Sequence, residues 1–282
     1  MTASAQTQSN GNGTSHHFSE SEVADFKRQF ERDGYLVFRG AVSREKLTEL
    51  RGKLDQAFID AQRTGKLISG GGTIAGHLNC LPGETARFAY DALREKGLLD
   101  IVQAVYPKPI DSFAVGCNYN LPKSTAQHYH MDGVYLKDFM IANVAVVDTD
   151  LRNGAIDVLP GTHRRFYKFY EYALARKYKG TTRLPLSAGD VLIRVSTLWH
   201  RGMPNFTDVA RPMLAFTMGE KMKVAPGDPF KTKNDEIEFY ENWYRPNLIG
   251  RLRERTFVTA PITYSAYRFV RSLVGNKGYA AD

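Results

Sequence analysis

Between Phe113 and Met218 the sequence breaks into short pieces of high β-propensity, each closed by turn residues: FAVGCNYN, AQHYHMDG, MIANVAVVDTD, AIDVLPGTH, DVLIRVSTLWH and PMLAFTM. Short strands at this density call for a sandwich or a barrel. One helical insertion, RFYKFYEYALARKYKG, interrupts them. Helical patterns lie on both sides of the block. The order helices, strands, helices argues against alternating βαβ units and for a helix-supported β-sandwich.

The flanks read as follows. Residues 1–17 are polar and aperiodic, which predicts a disordered leader. Ser19 followed by Glu22 makes a capping box, and Val23, Phe26 and Phe30 form a helical stripe that Gly34 stops. YLVFRG is a short strand. Ser43 opens a second helix with Leu47, Leu50, Leu54, Phe58 and Ile59 inward, ending at Gly65. ISGGGTIAGHLNC, 68–80, reads as a glycine-rich loop without the lysine and spacing of a phosphate cradle. ARFAYDALREKGLLDIVQAVY reads as helix. The tail, 221–282, returns to helix, with NDEIEFYENWYR and TYSAYRFVRSLVG the clearest pieces. No linker divides the chain, so residues 18–282 are expected to form one domain, with the β core at about 111–219 and a helical extension at 221–282.

Several function classes drop out. Two cysteines, Cys80 and Cys117, are too few for a disulfide framework or a thiolate metal site. No apolar run would cross a bilayer and no secretory signal opens the chain, so a cytoplasmic protein is expected. The net charge is +8, but the basic residues are scattered, and no nucleic-acid partner is expected. The partner expected is a small molecule, bound by a monomer or homodimer.

The chemistry gathers at QHYHMDG, 127–133. On a strand, His128, His130 and Asp132 share one face, with Tyr129 and Met131 on the other. Three in a row overreach one ion, since i to i+4 on a strand spans roughly 13 Å. Either His128–His130 or His130–Asp132 is therefore the pair. The second is favoured, because Asp132 precedes the turn residue Gly133 and because non-haem iron takes two histidines and one carboxylate on one octahedral face. His200, at the end of GDVLIRVSTLWH, is the best third ligand; His16 and His17 lie in the leader and His163 in a PGTHR turn. Arg211 opens the next strand after the loop RGMPNFTDVA. As the antiparallel partner of the His200 strand it would point inward near the metal, beside Met213, Ala215 and Thr217. An inward guanidinium needs an anion, and a bound dicarboxylate would satisfy it.

Together HMDG, NGAIDVLPGTHR, GDVLIRVSTLWHRG and Arg211 resemble the phytanoyl-CoA dioxygenase family, over roughly residues 22–219, and FERDGYLVFRGAVSREKLTEL is similar to that family's opening block. The resemblance implies a mainly β fold with flanking helices, a double-stranded β-helix of jelly-roll or cupin-like kind. It implies an Fe(II)- and 2-oxoglutarate-dependent dioxygenase that consumes O2 and releases succinate and carbon dioxide, usually hydroxylating its substrate. His130, Asp132 and His200 would ligate iron, Arg211 would hold the distal carboxylate of 2-oxoglutarate, and Gln127 would touch its other end. Ile156 departs from an NGxT pattern and removes one cosubstrate contact. Related halogenases lack the carboxylate, so Asp132 favours hydroxylation, desaturation or ring chemistry. The competing expectation is a β-sandwich binding module that has lost catalysis; the intact ligand set speaks against it.

His77 and Asn79, in GHLN, are expected substrate contacts from the glycine-rich loop. His128 would lie beside the metal on a regular strand. Trp199 should face away from His200 into packing. The 165–180 helix should pack Phe166, Phe169 and Tyr170 down, its lysines solvated, with a lid as the alternative.

Overall fold

The computed structural model describes residues 5–6, 18–64, 75–222, 227–239 and 248–274. Most of the expected leader and the stretch 65–74, which includes the expected helix stop Gly65 and the start of the glycine-rich loop, lie outside these. Ala5–Gln6 (β1) pairs parallel to the edge of Tyr35–Arg39 (β2).

Helix α1, Glu20–Asp33, forms as its ends dictate. Ser19 accepts from the Glu22 N–H, the Glu22 carboxylate accepts from the Ser19 N–H, and Gly34 closes the last turn at φ 82°. Helix α2, Arg44–Arg63, is capped by Ser43 and buries Leu47, Leu50 and Leu54. Phe58 is half-buried, its ring against Tyr119 and Phe239. Ile59, expected inward, is 51 % exposed; it lies beyond the stripe that reaches the sheet. HLNC, expected in a loop, is strand β3, His77–Leu81, because its backbone pairs with Ser112–Asn120 (β4). The helix expected next is split at Gly97 into α3, Arg87–Glu95, and α4, Leu98–Val105.

The β core continues through β5 (Met140–Ala145), β6 (Ile156–Val158), β7 (Thr182–Leu184), β8 (Val191–Val195), β9 (His200–Arg201), β10 (Arg211–Gly219) and β11 (Glu238–Phe239). Helix α5, Phe169–Leu174, interrupts it, and α6, Leu248–Thr259, and α7, Pro261–Leu273, follow. The large sheet runs β1-β2-β8-β5-β10-β4-β3-β11; the small one runs β7-β6-β9. The expected double-stranded β-helix, mainly antiparallel and flanked by helices, is borne out. Glu238–Phe239, expected in the helix 234–245, is strand because it pairs with Cys80–Leu81; residues 234–237 form a turn and bend instead of helix, and 240–245 lie outside the described residues.

Alternation along the large sheet separates two surfaces. Leu214, Phe216 and Met218 pack with Ile193, Val144 and the α1, α2 and α4 side chains in the main core, while Arg211, Met213, Ala215 and Thr217 line a pocket on the other face. Behind the small sheet a second cluster joins Tyr129, Met131, Leu159, Phe169, Tyr172 and Trp199. Trp199 is buried, stacked on Tyr172 at 4.2 Å, as its position beside His200 predicts. Tyr172, one turn beyond Phe169, is the tyrosine that α5 buries, and the expected Tyr170 is only half-buried. Helix α7 closes this cluster: the Arg268 guanidinium lies 4.0 Å over the Phe169 ring, and its Nη1 donates to the Tyr129 carbonyl at 2.5 Å.

Candidate active site

The segment carrying His130 is less regular than expected. Instead of a continuous strand it makes an interrupted ladder beside β9. The Gln127 N–H donates to the Gly202 carbonyl at 2.8 Å, His130 and His200 exchange backbone bonds at 3.0 and 2.8 Å, and the Asp132 N–H donates to Ser196 at 2.8 Å. The strand expected to end at His200 is also broken. β8 stops at Val195, a turn follows, and His200 begins β9 in the small sheet. Arg211 is therefore no antiparallel partner of His200. Its strand pairs with β4 and β5 in the large sheet, and both side chains reach the same pocket from opposite sheets.

Within that pocket, of about 420 Å³, the His130, Asp132 and His200 ligand atoms lie within 4.8 Å of one another. The His130 Nε2 is 3.7 Å from Asp132 Oδ1, and the His200 Nε2 is 3.5 Å from Asp132 Oδ2. Each ring is fixed from behind. His130 Nδ1 donates to the His128 carbonyl at 2.7 Å and His200 Nδ1 to the Leu198 carbonyl at 2.9 Å. A carbonyl only accepts, so both Nδ1 atoms carry the proton and both Nε2 lone pairs face the carboxylate. Burial pushes both histidines below their ordinary pKa, His200 to about 3, so the rings are neutral at pH 7. Burial alone would raise the Asp132 carboxyl. Interactions with His200, Arg194 and His130 outweigh it and hold the carboxyl well below the usual range, the Arg194 guanidinium also donating to Oδ2 at 2.8 Å. Two neutral imidazoles and one carboxylate, all deprotonated at their facing atoms, fit a divalent cation.

Arg211 is 5 % exposed, and burial lowers its pKa to about 10, leaving it charged. Its Nη2 donates to the Gly154 carbonyl at 3.2 Å, while its Nε is buried without a partner among the described residues. No side-chain carboxylate pairs with it among the described residues. The chemistry of that orphaned cation fits an incoming carboxylate.

The family model for phytanoyl-CoA dioxygenase (PhyH) matches residues 30–213, more than half of the chain. The chain belongs to the phytanoyl-CoA dioxygenase family. It is thus an Fe(II)- and 2-oxoglutarate-dependent oxidoreductase that also uses O2. Solved structures share the fold at low identity. The non-heme alpha ketoglutarate dependent epimerase SnoN from nogalamycin biosynthesis is 18% identical with a TM-score of 0.52, over 76% of this chain and 95% of that one. HygX from Streptomyces hygroscopicus, solved with nickel and 2-oxoglutarate bound, is 17% identical with a TM-score of 0.55, over 73% of this chain and 89% of its own. The carbocyclase SnoK is 16% identical with a TM-score of 0.52, over 82% of this chain and 100% of its own.

In this phytanoyl-CoA dioxygenase family member the other expected residues fall as follows. Gln127 lines the pocket with its Oε1 accepting from the Gly202 N–H at 2.8 Å, which leaves its amide NH2 for another partner. His77 packs beside it; a side chain at residue 202 would strike both, its Cβ coming to 2.8 Å from Gln127 Oε1 and 2.9 Å from His77 Cε1. His77 Nε2 donates to the Thr125 carbonyl at 2.6 Å, and burial lowers its pKa to about 4, so its Nδ1 is an acceptor. Asn79 also lines the pocket and accepts from Asn118. Ile156 supplies an apolar wall where a hydroxyl would sit. His128 is absent from the pocket wall. The ladder is irregular, so its ring lies tilted against Tyr264 of α7, with ring centres 4.1 Å apart, and only its carbonyl serves the site.

Arg194 and Asn143 escaped sequence reasoning. Arg194 Nη2 donates to Asp132 Oδ2 at 2.8 Å and its Nε to Asn143 Oδ1 at 3.2 Å. The available signal was a charge inside the apolar run VLIRV, which a buried strand does not carry without a partner.

Proposed function

We propose that the enzyme hydroxylates a small organic metabolite, coupled to conversion of 2-oxoglutarate to succinate and carbon dioxide. His130, Asp132 and His200 hold Fe(II), which when bound supplies the dioxygen and electron-transfer chemistry. The observation that carries the reading is the His130 and His200 Nε2 atoms meeting Asp132 in the same pocket as a buried guanidinium that has no carboxylate partner among the described residues.

The protein's residues divide the remaining work. Three ligands on one face leave the opposite side of the ion open for small ligands. Arg194 keeps one Asp132 oxygen, which favours a carboxylate that binds through the other. Arg211 takes the distal carboxylate of 2-oxoglutarate, and the Gln127 amide takes its other end. Met213, Ala215 and Ile156 keep water from the reacting atoms, and the His77 Nδ1 and Asn79 face the substrate as polar contacts. The presence of Asp132 supports hydroxylation over halogenation. The setting proposed is cytoplasmic, in a monomer or homodimer with no nucleic-acid partner; no helix among the described residues is long and apolar enough to cross a membrane.

Calorimetric titration of the full chain with Mn(II) or Co(II), then 2-oxoglutarate, followed by a succinate assay with Fe(II) and O2, tests the reading. Asp132→Ala should lose divalent-metal binding and succinate formation while keeping its circular dichroism. An Asp132→Ala protein with wild-type metal affinity and turnover overturns it.

A further inference from the structure

The substrate's charge is written into the pocket. Arg194 lies inside β8, where Ile193 and Val195 turn to the core and Arg194 turns to the pocket, directly across from Ile141. Its side chain is 7 % exposed. A guanidinium this deep must be matched by acceptors and opposite charge. Two of its three nitrogens are matched, Nη2 by Asp132 and Nε by Asn143. Nη1 is buried and has no partner among the described residues.

A charge count gives that nitrogen its meaning. The charged side chains lining the pocket, among the described residues, are Arg194, Arg211 and Asp132. Imidazoles that ligate a metal are neutral, and His77 has a pKa of about 4. The walls therefore sum to one positive charge. A divalent cation and dianionic 2-oxoglutarate cancel each other, so the loaded pocket keeps that single excess charge. Loading also sharpens the imbalance at Arg194, since the Asp132 carboxylate that faced it alone is then shared with a dication. Arg211 is engaged by 2-oxoglutarate, which leaves Arg194 as the cation without a full counter-charge.

We propose that the prime substrate is a monoanion, carrying a carboxylate, sulfonate or phosphodiester group, and that Arg194 holds this group through Nη1. This rests on the reading above, because the count includes the metal and 2-oxoglutarate. It adds a specificity-determining residue and a substrate class. If Arg194 served only to steady Asp132, its replacement would weaken metal binding and leave anion preference untouched.

The test uses the full chain loaded with Zn(II) and saturating 2-oxoglutarate, at constant ionic strength. Acetate and methanesulfonate are the anionic probes; acetamide and dimethyl sulfone are their neutral mimics. Melting temperature against probe concentration should show saturable stabilisation by both anions and none by the mimics. Arg194→Gln and Arg194→Met should weaken anion binding by about tenfold or more, on the scale of a lost buried charge partner. Arg194→Lys should retain part of it. Equal response to anions and mimics in the wild type overturns the proposal without any variant, so a misfolded substitution does not blunt the test. Full anion binding in Arg194→Met overturns it too, since the probe is then on the metal. Titrations of Zn(II) and 2-oxoglutarate on the same wild-type sample separate the two levels. If neither binds, the assignment of the site fails; if both bind and the anion preference is missing, only this inference falls.

Discussion

Helix α1 and the segment 121–139 obey different rules. α1 is bounded by its own residues: Ser19, Glu22 and Gly34 satisfy its ends, and an apolar stripe turns it to the core. The 121–139 segment is placed by distant partners. Gln127 bonds to Gly202, His130 to His200, Asp132 to Ser196 and Arg194, and the Phe139 N–H to the Ser196 hydroxyl. The difference teaches that the site has little shape until both sheets exist. Its ligands are set by a ladder between segments and by the aromatic cluster behind it, not by local propensity.

The largest effect that sharpens this contrast is Trp199→Ala. Emptying the cluster behind β9 should cost about 3–5 kcal/mol in thermal or urea unfolding, and divalent-metal affinity should fall with it. Loss of stability with unchanged metal affinity would break the link between packing and site. Arg211→Met should weaken 2-oxoglutarate binding by about 30-fold or more, the loss of a buried charge partner, while metal affinity measured by calorimetry stays at the wild-type level. The metal-free protein should become more stable, because a buried guanidinium with an unpartnered Nε is removed.

Acid should act on the same region before it reaches the helices. His77 and His128 have folded pKa values of about 4 and His200 of about 3, against an ordinary 6.5. Unfolding therefore takes up protons between these limits, and stability rises with pH across the window. The metal-free protein should hold full stability above pH 6.5 and lose it progressively down to about pH 4, with His77 alone contributing about 3 kcal/mol. A melting temperature flat from pH 7 to 4.5 contradicts the burial of these rings. At the small end, Ser19→Ala should cost about 1 kcal/mol through the lost cap and leave metal affinity unchanged, since α1 answers only to its own ends.

That contrast also explains what could be read before the fold was known. Ser19, Ser43 and Gly34 marked helix ends because capping is local. Arg211, Met213, Ala215 and Thr217 could be assigned to one face because alternation is local too. The triad was legible from residue type and order. Its backbone was not: the ladder is irregular because each bond is made to a residue more than fifty positions away. The same cause hid HLNC and Glu238–Phe239, whose strand character comes from pairing with β4 and with each other against strong local signals of glycine and acidic residues. Arg194 passed as part of an apolar run because its counter-ion, Asp132, is 62 residues distant.

Arg268 carries a consequence for how the enzyme is made. Its hydrogen bond to the Tyr129 carbonyl ties the last described helix to the residue beside His130. During translation, His130, Asp132, His200 and Arg211 all leave the ribosome before Arg268 does. The His130, Asp132 and His200 side chains are thus all synthesised while the strut that ties down their neighbour Tyr129 is still unmade.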